Sequence, residues 1–270
     1  MTFEDFMHAE ASQMWHGLHL KHSLKRAGDF CRYKSYGKLG LNEITPVHIQ
    51  DFIGSIEGVS ESTRNRYRAA IGAVLRHALD LELIEKMPKI RYARVRSGRV
   101  RYMNEEEITG LRTFLRESRE PWMEHFVVIA LSTGMRLGEL LSLTPSSIES
   151  DKDGTWINLT ETKNGDDRAV PVNDACLAAL KALDFFPARH FERKRFYNTW
   201  RKARNKVAPG DNTFVFHTLR HTAASTMAND LEINTIIIGR MLGHRSQVTT
   251  AKYVHEKRSY LQTIAKQLGS

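Results

Sequence analysis

Four side chains with anion-binding or proton-transfer chemistry lie close together in this chain of 270 residues. Residues 217–222 read His-Thr-Leu-Arg-His-Thr, residues 242–246 read Leu-Gly-His-Arg-Ser, and a tyrosine follows at position 253. The side chains that stand out are His217, Arg220, His244 and Tyr253. Carboxylates are scarce in this stretch, so its groups suit a negatively charged substrate better than a metal ion. The pattern indicates a site for phosphate.

A second arginine, Arg136, comes earlier, in the run Thr-Gly-Met-Arg-Leu-Gly-Glu-Leu at residues 133–140. In the order Arg136, His217, Arg220, His244 and Tyr253, the chain resembles the tyrosine recombinase family, which includes the phage integrases. The resemblance extends from about residue 44 onward and depends on several separated motifs. It implies a site-specific recombinase that integrates or excises a phage or mobile element, with no cofactor and no metal.

The composition favours a nucleic-acid partner. The formal net charge is +9 and the isoelectric point is near 9.6. Each phosphate neutralised by such a protein releases counterions, which favours binding to DNA. No uncharged apolar run approaches the roughly 20 residues that span a bilayer, and the first residues do not read as a signal peptide. We therefore expect a cytoplasmic, nucleoid-associated protein, or one in the host cytoplasm if a phage encodes it, without membrane contact.

Residues 1–95 are predicted to form a helical DNA-binding domain. Two helices fit between residues 3 and 34, a Thr-Pro pair at 45–46 begins a third, and Ser60 or Ser62 begins a fourth. The apolar stripe of the fourth helix has five members: Tyr67, Ile71, Val74, Leu75 and Ala78. Asn65, Arg68 and Arg76 lie on its opposite side and are predicted to contact DNA, although a merely solvated face has the same composition.

Basic residues recur at short intervals between positions 91 and 101, with no helical or strand periodicity. We predict an interdomain linker at residues 96–102, in which Arg96 and Arg99 contact DNA phosphates. Residues 103–270 then form the catalytic domain. Cys31 and Cys176 lie far apart and form no CxxC pair, so the sequence predicts neither a disulfide framework nor a thiolate metal site.

Local signals in the second domain predict where its candidate residues lie. Asn104 and Glu107 predict a capping box, and the apolar segment at 126–131 predicts a buried helix that ends at Gly134, just before Arg136. Two strands are predicted at 156–160 and 168–172, with an Asn-Gly turn between them, which places Lys163 at a hairpin tip. An apolar stripe between residues 191 and 207 is surrounded by cations and predicts a second basic surface.

Attack on a DNA phosphodiester without a metal requires cations, a nucleophile and a proton donor. Arg136 and Arg220 can donate forked hydrogen bonds to the non-bridging oxygens, and loss of one such donor typically costs about 10² to 10³ in rate. Tyr253 is the candidate nucleophile because its phenol can form a phosphotyrosyl ester. Glu139 is predicted to support the arginines by buried ion pairing.

The resemblance implies the remaining roles. Lys163 protonates the departing 5′ oxygen, His217 bonds the scissile phosphate and assists proton movement at the tyrosine, and His244 donates to a non-bridging oxygen. Attack leaves a 3′-phosphotyrosine and a free 5′ hydroxyl, which then attacks the partner duplex. The family also suggests that the amphipathic tail after Tyr253 docks on a neighbouring protomer.

Several alternatives remain open at this point. His217 and His221 could be zinc ligands, although the zincin pattern requires a glutamate where Thr218 stands. Tyr260 is a competing nucleophile, but it lies in the amphipathic tail. The rival functions are a type IB topoisomerase, a cellular recombinase that resolves chromosomes or plasmids, a catalytically silent DNA-binding regulator and a metal-dependent hydrolase.

The predicted architecture is mainly α with a small antiparallel β-sheet, in two domains that form a clamp around DNA. The expected partners are double-stranded DNA at specific sites, three further copies of the chain in a tetramer on two synapsed duplexes, and accessory DNA-bending proteins. Many phage integrases carry an additional N-terminal domain that binds distant sites. Because the helical domain begins within the first few residues, we expect none here.

Overall fold

The computed structural model describes residues 1–95, 100–160, 167–244 and 246–253, without the side chain of Val248. The chain forms two compact units, Met1–Gly98 and Arg99–Ser270. Within the described ranges the chain is mostly helical, with one small antiparallel sheet, so the predicted fold class is confirmed. No helix in those ranges is long and apolar enough to cross a membrane.

The first unit consists of four main helices around one aromatic and aliphatic core. They are α1 (Phe3–Met14), α2 (Gly17–Arg32), α3 (Pro46–Ser55) and α4 (Glu61–Asp80). The Ser60 hydroxyl accepts a hydrogen bond from the Thr63 backbone and begins α4, as one of the two predicted start sites. The predicted stripe on α4 faces the core: Ile71, Val74, Leu75 and Ala78 are fully buried, and Tyr67 packs against them.

The opposite side of α4 is less open than the sequence suggested. The Asn65 side chain donates to the Ala93 carbonyl oxygen at 2.8 Å and accepts from the Ala93 amide at 3.0 Å. At Gly72 the helix approaches the side chains of Ile90 and Tyr92 so closely that an added Cβ would lie 3.1 Å from Ile90 Cδ1. Residues 90–93 therefore cover part of the face that was predicted to be a bare basic surface. The sequence alone does not show that Asn65 is covered, because its partner Ala93 lies in another segment of the chain.

The second unit has its core around two central helices, α6 (Trp122–Thr133) and α10 (His217–Asn229), which pack together. The other helices are α5 (Glu105–Arg116), α7 (Leu137–Leu141), α8 (Asp174–Ala182), α9 (Arg193–Val207), α11 (Thr235–Leu242) and α12 (Gln247–Ala251). The predicted capping box is present at α5, where Asn104 and Glu107 exchange hydrogen bonds of 2.8 and 3.0 Å. Both cysteines, Cys31 in the first unit and Cys176 in the second, are buried and unbonded.

A three-stranded antiparallel sheet in the described part of the second unit runs in the order β1 (Ile148–Asp151), β2 (Gly154–Leu159), β3 (Arg168–Val172). Ile157 and Val170 pair across β2 and β3, and both are fully buried. The two predicted strands are therefore present. Strand β1 was not predicted, because this short polar strand has no alternating apolar pattern. The Asn-Gly turn and Lys163 lie outside the described residues.

One residue of the predicted basic linker has a different role. The Arg101 guanidinium is paired with Glu107 at 2.5 Å and with Asp211 at 2.9 Å. These pairs fix the start of the second unit against α5 and against the loop before α10. Arg101 belongs to the predicted linker at 96–102. Its guanidinium makes ion pairs within the second unit and is therefore not a free phosphate ligand. Arg96 and Arg99 lie outside the described residues.

The close approach of α6 and α11 yields a stability prediction. Gly134 ends α6 with a φ of +66°, and a Cβ at this position would overlap the buried Leu242 side chain. Gly134→Ala should therefore lower the free energy of unfolding by about 2 to 4 kcal/mol, from backbone strain and overpacking together. Urea unfolding at neutral pH measures this change. The matched control is Gly138→Ala in α7, where an added Cβ meets nothing within 4 Å; equal stability of the two variants would contradict the prediction.

Candidate active site

Arg220 connects two turns of the second unit. It lies in the first turn of α10 and is only 1% exposed. One terminal nitrogen donates to the Gly134 carbonyl oxygen at 2.8 Å, and the other donates to the Leu242 carbonyl oxygen at 2.5 Å. Burial lowers the pKa of Arg220 to about 10, so the guanidinium still carries its charge at neutral pH. Each terminal nitrogen has two hydrogens, so one hydrogen on each remains for another acceptor.

Glu139 lies at the centre of the cationic residues. Its carboxylate accepts from the Arg136 side chain at 2.5 Å, from the Arg136 backbone amide at 2.9 Å and from the Arg168 side chain at 2.8 Å, and it lies 4.0 Å from Arg220. Burial alone would raise the pKa of this carboxyl. The hydrogen bonds from Arg168 and Arg136 outweigh that effect and hold the pKa of Glu139 below its ordinary value. The predicted supporting role of Glu139 thus has a geometric basis.

Arg168, which the sequence analysis did not single out, is part of the same cluster. It begins β3, and its Nε donates to the Met241 carbonyl oxygen at 3.0 Å while its terminal nitrogen contacts Glu139. Its guanidinium lies against Gly243, where an added Cβ would be 2.6 Å from it. A signal was present in the sequence, because Arg168 occupies the same face of the strand as the buried Val170.

The turn after α11 brings His244 to the arginines. Gly243 ends the helix with a φ of +65°, and its carbonyl oxygen lies 3.5 Å from a terminal nitrogen of Arg136. Nδ1 of His244 lies 2.8 Å from the hydroxyl of the fully buried Thr250. Burial, and then the charges of Arg220 and Arg136, lower the pKa of His244 to about 4. His244 is therefore neutral at physiological pH in the free protein.

Tyr253 is buried, with 5% of its surface exposed, and its ring stacks near His244 with 6.2 Å between ring centroids. Its hydroxyl lies 2.7 Å from Nδ1 of His221, and its carbonyl oxygen accepts a hydrogen bond from Asn229 at 2.9 Å. Burial raises the pKa of the Tyr253 hydroxyl, while the charges of Arg220 and Arg136 oppose that rise. The phenol is therefore protonated at neutral pH.

His217 lies one helical turn before His221 on α10, and the two rings meet edge to face with their centroids 4.6 Å apart. Although His217 is an exposed residue, partial burial of its ring and the nearby Arg220 lower its pKa. Its position beside Arg136, whose side chain is 30% exposed, leaves both groups within reach of a ligand from solvent. Arg220 and Tyr253 are the buried members of the same cluster.

The structure therefore brings together five of the six predicted catalytic residues; the sixth, Lys163, lies outside the described residues. The cluster also includes three residues that were not predicted, namely Arg168, Asn229 and Thr250. It includes His221 as well, which was considered only as a possible zinc ligand. Of the predicted DNA contacts, Arg76 is exposed on α4, whereas Arg68 pairs with Glu61 and Asn65.

The charges of this cluster suit a phosphodiester. Three guanidiniums, Arg136, Arg168 and Arg220, surround one carboxylate, Glu139, so two positive charges are left uncompensated within this group. A phosphodiester carries one negative charge, and attack by a phenolate oxygen brings a second to the transition state. The excess charge of the cluster therefore matches the transition state better than the ground state. Among the described residues, no three His, Cys, Asp or Glu side chains are grouped in a way that could hold a metal ion.

The central carboxylate yields a prediction with a defined pH dependence. Glu139→Gln leaves three guanidiniums around a neutral amide and should lower the free energy of unfolding by about 3 kcal/mol at pH 7. Because the folded pKa of Glu139 is depressed, its stabilisation is fully present above the unfolded pKa of about 4.3 and is lost as the pH falls through the folded pKa. Urea unfolding should therefore give a difference between variant and native protein that shrinks below about pH 4.

The exposed Glu117→Gln is the matched control and should change little at either pH. A Glu139→Gln variant as stable as the native protein at pH 7 would contradict the structural role of the carboxylate.

Several known proteins are similar to this chain in sequence or in fold. The shufflon-specific DNA recombinase of Escherichia coli is 32% identical over 62% of this chain and 43% of its own length, and the integrase of Salmonella phage P22 is 26% identical over 77% and 58%. The chain thus spans about half the length of these two relatives. A lambda integrase tetramer bound to a Holliday junction has the same fold, with a TM-score of 0.73 at 17% identity over 95% of this chain and 78% of that one. The sequence profile of the phage integrase family matches residues 101–259, more than half of the chain, and the protein therefore belongs to the phage integrase family of tyrosine recombinases.

Proposed function

We propose that this protein is a site-specific DNA recombinase that cuts and rejoins strands through a 3′-phosphotyrosyl intermediate. The observation that carries the proposal is a buried tyrosine near a group of guanidiniums with excess positive charge, two of which, Arg220 and Arg136, oppose the rise that burial causes in the pKa of its hydroxyl. Membership of the phage integrase family supports it. Integration or excision of a phage or mobile element is the proposed role; resolution of chromosomes or plasmids by a cellular enzyme is the alternative.

In the proposed cleavage step, the Tyr253 oxygen bonds to phosphorus as the bond from phosphorus to the 5′ oxygen breaks. Arg136 and Arg220 hold the non-bridging oxygens with their remaining hydrogens. When the Thr250 hydroxyl donates to Nδ1 of His244, the hydrogen of the neutral ring is on Nε2. From there His244 can donate a hydrogen bond to a non-bridging oxygen of the phosphate. His217 assists proton transfer from the phenol, and Lys163 protonates the departing 5′ oxygen.

The reverse reaction completes strand exchange. The 5′ hydroxyl of a partner duplex attacks the phosphotyrosine, the bond from phosphorus to Tyr253 breaks, and the phenol regains a proton. One ester is exchanged for another in each step, so the sequence of cleavage and rejoining needs no external energy source. This conservation of bond energy is what distinguishes strand transfer from hydrolysis.

We assign DNA binding to both units. The first unit, Met1–Gly98, is proposed as the core DNA-binding domain, with Arg76, Arg68 and Asn65 on its α4 face, and Arg96 and Arg99 in the following linker. In the second unit, α9 presents a row of exposed cations, namely Arg193, Lys194, Arg195, Arg201, Lys202 and Lys206. Such side chains fix the register on phosphates and carry little sequence information. An enzyme acting on chromosomal DNA would work in the cytoplasm, at the nucleoid.

Four copies on two duplexes are proposed as the active assembly, aided by accessory DNA-bending proteins. The lambda integrase of similar fold is a tetramer on a Holliday junction, which supports this assembly. Sedimentation of the protein with two cleavage-site duplexes tests it, since complexes that recombine DNA while containing a single copy would contradict it. A type IB topoisomerase remains the second candidate, and it would relax supercoils without exchanging strands between two duplexes.

The nucleophile is tested by trapping the intermediate. On a nicked duplex, from which the short 5′-hydroxyl fragment diffuses away, the native protein should become covalently attached to DNA. Tyr253→Phe should abolish that attachment, because the ring is kept and the attacking oxygen is lost. Denaturing electrophoresis separates protein–DNA adducts from free DNA. Tyr260→Phe is the matched control and should retain adduct formation. Loss of the adduct in this variant alone would show that Tyr260, and not Tyr253, is the nucleophile.

The chemistry proposed here uses arginines in place of a metal ion. Excess EDTA should therefore leave the rate of covalent attachment unchanged, whereas a metal-dependent hydrolase would lose its activity. The same time course is measured with and without chelator, and a magnesium-dependent restriction nuclease in the same buffer confirms that chelation is complete. Restoration of a lost activity by added magnesium would show that the metal-free mechanism is wrong.

A further inference from the structure

Helix α10 contacts the segment that carries Tyr253 at two points. Nδ1 of His221 lies 2.7 Å from the tyrosine hydroxyl, and Nδ2 of Asn229 donates to the tyrosine carbonyl oxygen at 2.9 Å. His221 and Asn229 are eight residues apart, which is about two helical turns. One rigid helix thus contacts both the reactive end of the side chain and the backbone from which it projects.

The two contacting side chains are themselves held in place. The amide of Asn229 also contacts the carbonyl oxygen and the hydroxyl of Ser225, at 2.9 and 3.1 Å. The ring of His221 packs edge to face against His217. Neither side chain has to be ordered anew to hold Tyr253, so little conformational entropy opposes the contact.

The protonation state of His221 sets the direction of its hydrogen bond. Burial, and then the neighbouring His217 and Arg220, lower the pKa of His221 to about 4. A neutral imidazole can accept a hydrogen bond at one nitrogen, and the phenol of Tyr253 is protonated. In the His221 tautomer that carries its hydrogen on Nε2, Nδ1 accepts the phenol hydrogen, and a lone pair of the phenol oxygen is left for phosphorus.

We propose that His221 and Asn229 are positioning residues that hold Tyr253 in the orientation for attack on the DNA phosphate. This inference rests on the proposed function, and it adds two residues to the machinery on geometric grounds. Neither residue touches the reacting phosphate in this scheme. Both act through the tyrosine.

Rate measurements on a nicked duplex test the proposal. The duplex is first selected from a randomised pool by covalent capture on the native protein. His221→Phe should slow covalent attachment about 3- to 10-fold, the effect of one neutral hydrogen bond. His221→Asn should restore most of the rate, because its side-chain oxygen can stand where Nδ1 stood. Asn229→Ala should also slow the reaction, whereas His125→Gln on α6 should not.

A second arm separates positioning of the tyrosine from action on the phosphate. In a Tyr253→Ala background, added hydrogen peroxide can attack phosphorus directly, with release of the same 5′ oxygen. His221→Phe should then have no effect on cleavage, whereas Arg136→Lys should still slow it. A His221→Phe defect that persists with peroxide would overturn the proposal, because it would show action on the phosphate or through His217.

A third readout needs no DNA. Tetranitromethane nitrates accessible tyrosines, and peptide mass spectrometry locates the product. Nitration of Tyr253 should be slow in the native protein and faster in His221→Phe and Asn229→Ala, whereas Tyr197, which is 51% exposed, should react equally in all of them. Equal protection of Tyr253 in all variants would contradict the inference. Failure of the native protein to attach to any DNA would instead contradict the proposed function.

Discussion

The site depends on one buried carboxylate that holds three guanidiniums together. Arginines packed this closely repel one another, and burial makes the repulsion stronger because little water screens it. Glu139 offsets enough of that repulsion for the cluster to fold, and it leaves enough positive charge to attract a phosphate. A second carboxylate would have left only one positive charge uncompensated, and without any carboxylate the three guanidiniums would repel one another unopposed. The stability of the cluster and the proposed catalysis therefore depend on the same balance of charge.

The protonation state of the three histidines in the cluster depends on burial and on the same charges. Burial, and then nearby charged groups, lower the pKa values of His217, His221 and His244, so all three are neutral in the free protein and can accept or donate a hydrogen bond without adding charge. A bound phosphate would bring negative charge and raise their pKa values. In the proposed mechanism, proton transfer in the site would thus be coupled to occupancy by DNA. The free and the DNA-bound protein would differ in protonation as well as in contacts.

Much of the fold and of the candidate site could be predicted from the sequence. There are physical reasons why some predictions succeeded and others failed. The helix caps at Thr45, Ser60 and Asn104 and the glycine that ends α6 are local signals, and the structure contains all of them. The cationic motif residues could be found because phosphate chemistry demands their types. Arg168 was missed because its position on the buried face of β3 does not reveal its partner, Glu139, which is distant in sequence. Residues 90–93 and their cover over α4 were missed for the same reason, since the contacts join segments that are distant in sequence.

Arg220 has a consequence for how such a protein can change over evolutionary time. Its guanidinium joins the carbonyl oxygens of Gly134 and Leu242, so it is a structural tie between α6, α10 and α11 in addition to its proposed role as a phosphate ligand. A lysine could not reach both acceptors with one ammonium group. A descendant that abandoned strand cleavage for simple DNA binding could therefore replace its tyrosine with phenylalanine, which keeps the buried ring, yet it would have to keep this arginine. Under the proposed mechanism, persistence of Arg220 in a lineage is thus a poor sign of activity, and loss of the Tyr253 hydroxyl is the better mark of a protein that no longer cleaves DNA.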